Sequence, residues 1–148
     1  MTPAAEEQQA IIGEFELFDD WLDRYQYIID LGRKLEPLAP EEQRDEALLD
    51  GCQSQVWLVA EGDTDRMVFR ANSDAAIVSG LIFLVLRVYS GRSAQEIVDT
   101  PPDFVDAIGL SQHLSQTRAN GLASMLGAIK ARARQALIDR GEGKGARG

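Results

Sequence analysis

The chain is poor in residues that form disulfides and bind metals, with one cysteine, Cys52, and one histidine, His113. A single cysteine cannot close a disulfide within the chain, so a reducing cytoplasm is the expected compartment. A structural zinc site takes four Cys or His ligands, and an iron–sulfur scaffold usually takes several cysteines. We therefore expect neither a bound metal nor a cofactor of the chain's own.

Long apolar runs and positive charge are also scarce. The longest uninterrupted apolar run, Leu81–Leu86, is far shorter than the roughly 20 residues of a membrane-spanning helix. The polar, acidic start Met1–Gln9 does not resemble a signal peptide. Lys and Arg number 15 against 24 Asp and Glu, so the net charge is −9. This charge disfavours binding to nucleic acid or to an anionic membrane surface, and we expect neither as a partner.

The length and composition fit one domain. With 148 residues, 45% of them hydrophobic, the chain can bury a core without disulfides or metals. The last stretch, Arg140–Gly148, is rich in glycine and has nothing apolar to bury, which is typical of a disordered tail. We predict a single domain over residues 1–139, followed by that tail.

Two runs rich in β-branched and aromatic residues predict an antiparallel hairpin. They are Gln55–Glu61 and Asp65–Ala71, and Gly62-Asp63-Thr64 joins them. A weaker third strand is expected at Glu46–Leu49.

Helical periodicity predicts the remaining elements. Ser93-x-x-Glu96 is a capping-box pattern that opens a short helix, which Pro101 ends. The other expected helices are Ala10–Phe18, Asp20–Leu35, Ala75–Tyr89, Asp103–Ile108 and about Ser115 to Ile138. This order predicts an α+β fold, a small three-stranded antiparallel sheet packed against helices.

The thiol of Cys52 is the residue best suited to chemistry. It lies in Gly51-Cys52-Gln53-Ser54, between the weak strand and a strong one, and is therefore expected on a loop at the sheet edge. Gly51 gives the loop backbone freedom, and Gln53 and Ser54 supply polar groups. A nucleophilic cysteine must be a thiolate, and no cation next to it in sequence favours that form. Cys52 is thus expected to react when a partner activates it.

Three interpretations of Cys52 remain open from the residues alone. A free cysteine is often an inert, small core residue. A Cys52–His113 nucleophile pair is also possible, although no third group completes it. A sulfur carrier is compatible with a lone cysteine, because no second thiol can attack a persulfide and expel the sulfur.

At Gly51–Trp57, the sequence GCQSQVW resembles the SufE family of sulfur acceptors. The resemblance continues in Ser73-Asp74-Ala75-Ala76-Ile77-Val78 and in Leu114, Arg118, Gly121 and Leu122. It spans roughly Phe18 to Lys130. It implies a fold like those of SufE and the IscU-type scaffolds.

The resemblance also implies a function. Cys52 would match the acceptor cysteine, taking sulfur as a persulfide from a SufS-type cysteine desulfurase, stimulating its turnover, and passing the sulfur to a SufBCD-type scaffold. The pyridoxal phosphate would belong to the desulfurase, and the chain would be a bacterial-type accessory protein and not an enzyme itself. Asp74 and Arg118 are candidate partner contacts. Otherwise, Asp74 interacts with a helix macrodipole in the first turn, and Arg118 is a surface residue.

Two alternatives accompany this interpretation. The chain is a CsdE-type partner of another cysteine desulfurase, or it is a non-catalytic interaction domain with an inert cysteine. We further expect Cys52 to be sheltered against the hairpin and the helix Ala75–Tyr89 in the free chain, and to swing out on docking.

Overall fold

The computed structural model describes residues 2–44, 47–49 and 55–147, with side chains up to Arg140. The order of elements confirms the α+β class. In sequence they are α1 (Pro3–Phe15), α2 (Trp21–Gly32), a 3-10 turn (Pro40–Glu42), β1 (Val56–Gly62), β2 (Met67–Ser73), α3 (Ala76–Tyr89), α4 (Ala94–Asp99), α5 (Asp103–Ala107), α6 (Leu110–His113) and α7 (Gln116–Arg147).

The hairpin forms where the sequence predicts it. β1 and β2 are antiparallel, with Val56 opposite Ser73 and Gly62 opposite Met67. Leu58 and Phe69 are buried on the core face, because alternate side chains of a strand point to the same side. The tight turn uses Gly62 at a φ of +89°, a left-handed conformation that glycine adopts without strain.

Where a third strand was expected, the described residues form a single bridge. In the part of the chain that the structure describes, the sheet has two strands, and Leu48 forms an isolated antiparallel bridge with Trp57. Ala47, whose N–H donates to the carbonyl of Arg44 at 3.0 Å, is not in a strand. Among the described residues, the chain meets the edge of β1 at Leu48 and at Leu49, whose N–H bonds the carbonyl of Val56. Glu46, where the strand was expected to begin, lies outside the described residues.

Helix α3 is the centre of the core. It is apolar on most sides, and it contacts α1, α2, α7 and β2. Its closest approach is to α2, where a Cβ on Gly32 would lie 2.7 Å from the backbone nitrogen of Gly80, and a Cβ on Gly80 would overlap the carbonyl of Ile28. The two glycines therefore let the two backbones cross in direct contact.

Helix α1 begins seven residues before the predicted Ala10, at Pro3, and ends at Phe15, not at Phe18. Thr2 accepts a hydrogen bond from the N–H of Ala5, as an N-cap residue does. The side chain of Gln8 is buried, and it bonds the backbone of residues 101 and 104. Long-range contacts thus keep this polar segment helical, although the periodicity of its sequence does not predict a helix.

In the capping box of α4, one of the two residues bonds to another helix. Ser93 caps the helix as predicted, since its hydroxyl accepts from the N–H of Glu96 at 3.1 Å. The carboxylate of Glu96, however, accepts from the N–H of Ala4 at 2.8 Å and joins α4 to α1. At the other end, the ammonium of Lys130 donates to the carbonyl of Ile97 at 2.9 Å.

The last helix continues beyond the predicted end near Ile138 and reaches Arg147, inside the segment predicted as a tail. The domain boundary at 139 stays a prediction. Among the described residues, no helix is long and apolar enough to cross a membrane. In the same residues, no group of three or more His, Cys, Asp or Glu side chains is placed to hold a metal ion.

Candidate functional site at the Cys52 loop

The candidate site is defined by the residues on either side of Cys52. Cys52 itself, with Gly51, Gln53 and Ser54, lies outside the described residues. The described chain stops at Leu49 and resumes at Gln55. These two flanking residues fix where the loop leaves the fold and where it returns.

The two ends of the loop meet at the edge of β1. The N–H of Leu49 donates to the carbonyl of Val56 at 2.8 Å, and the bridge between Leu48 and Trp57 adjoins this bond. These contacts bring the two flanking residues together at one edge of the sheet. That Cys52 belongs to a loop at this edge stays a prediction.

Asp74 anchors the returning end of the loop. Its carboxylate accepts a hydrogen bond from the N–H of Gln55 at 3.1 Å, and its own N–H lies 3.4 Å from the Gln55 carbonyl. The expectation that Asp74 occupies the first turn of a helix is wrong, because α3 begins at Ala76 and its N-cap is Ala75. Asp74 precedes the helix because its carboxylate bonds an amide across the hairpin.

An ion-pair cluster holds the segment that leads into the loop. The guanidinium of Arg70, on β2, contacts the carboxylates of Glu42 and Glu61. The hydrogen bond from Arg70 lowers the pKa of Glu42, and the two carboxylates raise the pKa of Arg70. The turn at residues 40–42 is thereby fixed to the outer face of the sheet.

Asn72 fastens an earlier part of the same segment. Its side-chain carbonyl accepts from the N–H of Leu38 at 2.6 Å, and its amide donates to the carbonyl of Glu36 at 2.9 Å. Asn72 belongs to β2 and ties this strand to the connection that follows α2.

A cleft of about 410 Å³ lies along β1 beside the start of the loop. It is lined by Glu42, Arg44, Ala47, Leu58, Val59, Ala60 and Arg132. Arg132 comes from α7, far away in sequence. The fold thus adds the guanidinium of Arg132 to that of Arg44 in one cleft at the edge of β1.

Arg118, the other candidate partner contact, belongs to the first turn of α7. Its backbone N–H donates to the hydroxyl of Ser115 at 3.2 Å, and its side chain is partly buried. This places it on an ordered helix start. A role in partner binding stays a prediction for both Arg118 and Asp74.

His113 is at the end of α6 and stacks on Trp21. The two ring centroids are 4.4 Å apart, and the ring planes differ by 10°. The structure therefore gives His113 a packing role at the start of α2. Its pairing with Cys52 is untested, since Cys52 is outside the described residues.

Sequence reasoning missed the contacts that anchor the loop, although it singled out Asp74. Asp74 and Gln55 are 19 residues apart, and Arg70 and Glu42 are 28 apart. No periodicity or cap pattern connects residues at such separations, so only the register of the hairpin could have suggested the first pair. Both residues that flank Cys52, Leu49 and Gln55, are thus hydrogen-bonded to the hairpin or its end.

Comparisons with known proteins agree with this architecture. A family model described as "SufE: Fe-S metabolism associated domain" matches residues 9–133. An uncharacterized SufE-like protein of Rhizobium meliloti is 44% identical over 128 residues, which cover 83% of this chain and 91% of that protein. Another, from Rhizobium etli, is 45% identical over 129 residues and covers 84% and 87%.

A solved structure supports the fold. The solution structure of a hypothetical protein from Thermus thermophilus superposes with a TM-score of 0.73 and covers 93% of this chain and 99% of that one, at 21% identity. With the family model spanning most of the sequence and two relatives above 40% identity, the chain belongs to the SufE family, whose domain is associated with iron–sulfur metabolism.

Proposed function

We propose that this protein accepts sulfur from a cysteine desulfurase as a persulfide on Cys52 and carries it to iron–sulfur cluster assembly. The observation that carries the proposal is the position of the chain's single cysteine. It lies between Leu49 and Gln55, in a loop whose two ends are bonded to the fold, in a chain of the SufE family.

The transfer is a thiol exchange. The Cys52 thiolate attacks the outer sulfur of a persulfide on the desulfurase, and a new sulfur–sulfur bond forms at Cys52. The sulfur–sulfur bond of the donor breaks, and its cysteine leaves as a thiolate. No net oxidation takes place, because the donor loses the sulfur atom that Cys52 gains. The loop therefore has only to place the Cys52 thiolate next to the outer sulfur of the donor persulfide.

A chain with one cysteine is suited to carrying sulfur as a persulfide. A second thiol in the same chain would attack the inner sulfur of the persulfide and release the cargo. Delivery would then depend on a recipient, for which we propose a SufBCD-type scaffold. The desulfurase supplies the pyridoxal phosphate, and the protein acts in the cytoplasm as an accessory that speeds desulfurase turnover.

The loop base suggests how the thiol is protected. The Gln55–Asp74 and Leu49–Val56 bonds hold both ends of the loop against the hairpin. We propose that Cys52 is sheltered there in the free chain and swings out when the desulfurase binds. Asp74 and Arg118 are proposed as contacts of that partner.

The decisive experiment is to incubate the intact protein with a SufS-type cysteine desulfurase and L-cysteine, and to weigh it by mass spectrometry without a reductant. We expect a mass increase of one sulfur atom that a reductant removes, and no increase in the Cys52→Ser variant. A CsdA-type desulfurase run in parallel distinguishes the CsdE-type alternative.

The outcome that contradicts the proposal is equally clear. An unchanged mass with both desulfurases, together with equal stimulation of turnover by wild type and Cys52→Ser, would leave Cys52 inert and favour an interaction domain. A matched variant, Ser54→Ala, keeps the thiol and should still be loaded.

A further inference from the structure

We infer that the corner between α1 and α2 is a second docking surface for the cysteine desulfurase, separate from the Cys52 loop. This inference rests on the proposed function. The corner, defined here as residues 16–23, presents Leu17 and Leu22 to solvent with 81% and 75% of their surfaces exposed. Of the large hydrophobic side chains in the described residues, only Ile138 is also exposed, at 52%.

The two leucines are held outward by an ordered backbone. The N–H of Leu17 donates to the carbonyl of Glu14 at 3.3 Å, and Asp20 accepts from the N–H of Leu22 at 2.6 Å. Beneath them, the ring of Phe18 packs 4.8 Å from that of Tyr27. Exposure of Leu17 and Leu22 is therefore a property of the folded corner and does not arise from a frayed end.

The side chain of Arg24 stabilises the corner through hydrogen bonds. The guanidinium of Arg24 donates to the carbonyls of Phe18 and Ile108, each at 2.9 Å. Its hydrogen bonds thus join the corner to the connection between α5 and α6. Arg24 is the cation nearest to the corner in sequence, and its donors point at these carbonyls.

Within residues 16–23 the charge is of one sign, with Arg24 just beyond them. Residues 16–23 contain four acids and no Lys or Arg, and all four acids are exposed: Glu16, Asp19, Asp20 and Asp23. Nucleic acid and anionic lipid are repelled by such a surface. A second copy of this chain is disfavoured too, because each copy carries −9. The complementary occupant is a protein with an apolar cleft rimmed by Lys and Arg.

The desulfurase is the partner that needs such a contact. A loop confined to residues 50–55 offers little area, whereas a stable interface buries about 800 Å² on each partner. The corner lies at the far end of α2 from the Gly32–Gly80 crossing, roughly 16 Å away along the helix at about 1.5 Å per residue. The corner therefore lies well away from the crossing of α2 with α3.

The test measures binding and transfer separately. Desulfurase affinity is measured with full-length chains that carry Cys52→Ser, so that no sulfur moves. Loading of Cys52 is measured with chains that retain the thiol. The variants are Leu17→Gln with Leu22→Gln, and the matched control is Ile138→Gln, which removes an exposed apolar side chain elsewhere.

We expect the Leu17→Gln, Leu22→Gln chain to bind the desulfurase about tenfold or more weakly, since burying one leucine contributes about that factor. At saturating concentration it should still be loaded with sulfur. The Ile138→Gln control should bind within about twofold of wild type. Asp19→Asn with Asp23→Asn should slow association at low salt and flatten its salt dependence.

Two failures are distinguishable. If wild type is loaded and the leucine variant binds as tightly as Ile138→Gln, the docking surface is overturned and the carrier function stands. If wild type binds the desulfurase through the corner but Cys52 is never loaded, the carrier function fails and the surface stands. A wild-type chain that does not bind the desulfurase overturns both.

Discussion

The crossing of α2 with α3 and the base of the Cys52 loop are held by different forces. At the crossing, Gly32 and Gly80 bring two backbones together with no room for another carbon atom. At the loop base, the bonds Gln55–Asp74 and Leu49–Val56 fix the ends of the loop. Close packing makes the crossing intolerant of change, because overpacking forces backbone shifts. Hydrogen bonds near the surface hold the loop base more weakly, since water competes for them.

A change at the loop base is therefore expected to leave the α2–α3 crossing intact. The residues that flank the loop adjoin a hairpin whose inner face packs on α3. The proposed function requires the Cys52 thiol to reach a partner, and regions with few buried contacts open at low cost. The following changes test whether the two regions are separate in this way.

The largest effect is expected from Gly80→Ala. The added methyl group would overlap the carbonyl of Ile28, and α2 and α3 would have to move apart. We expect the free energy of unfolding to fall by about 3 kcal/mol, measured by urea denaturation. Gly127→Ala is the control, because a Cβ there meets nothing within 4 Å and should raise stability by about 0.5 to 1 kcal/mol. Equal effects of the two substitutions would contradict the close crossing.

An intermediate effect on stability is expected from Glu14→Gln, which removes the charge of Glu14 from a partly buried ion pair with Arg87. The carboxylate of Glu14 receives two hydrogen bonds from Arg87, at 2.9 and 2.7 Å, and one from the hydroxyl of Tyr27. The hydrogen bonds from Arg87 lower the pKa of Glu14 despite partial burial. Glutamine still accepts from Tyr27 but loses the charge.

The pH dependence follows from the direction of that shift. A carboxyl with a lowered pKa in the folded state stabilises the fold above its unfolded pKa of 4.5, and this contribution is lost as the pH falls through the folded pKa. We expect Glu14→Gln to lower the free energy of unfolding by about 1 kcal/mol at neutral pH, and the difference to shrink below about pH 4. Glu16→Gln, at an exposed neighbour, should change it by less than about 0.5 kcal/mol. A difference that is constant with pH would contradict the ion pair.

The smallest effect on stability is expected from Asp74→Ala. The bond it removes is exposed, so the free energy of unfolding should fall by less than about 1 kcal/mol. Labelling of Cys52, the only thiol in the chain, should nevertheless become several times faster, because the returning end of the loop is released. Asp139→Ala, which removes a surface hydrogen bond on α7, should leave labelling unchanged.

The same variant separates two roles of Asp74. If Asp74 only contacts the desulfurase, labelling of the free chain stays at the wild-type rate and stimulation of turnover falls. If Asp74 only anchors the loop, labelling rises, and charge reversal at this position affects stimulation no more than Asp74→Ala does.

Local patterns predicted the elements well where local forces decide them. Ser93 caps its helix as expected, because a cap bonds an amide within three residues. The two runs rich in β-branched and aromatic residues predicted the hairpin. The family resemblance at GCQSQVW identified Cys52, a position that no described contact tests.

By itself, the sequence determined the α+β order of elements, the hairpin and the lone thiol between a weak strand and a strong one, since periodicity and chemistry are carried by neighbouring residues. Only the tertiary structure decided that Leu48 pairs at one point, that Asp74 bonds Gln55 and does not start a helix, and that Glu96 reaches Ala4. Those choices depend on which distant backbone groups the packing of α3 brings within hydrogen-bond distance, and no local pattern records that.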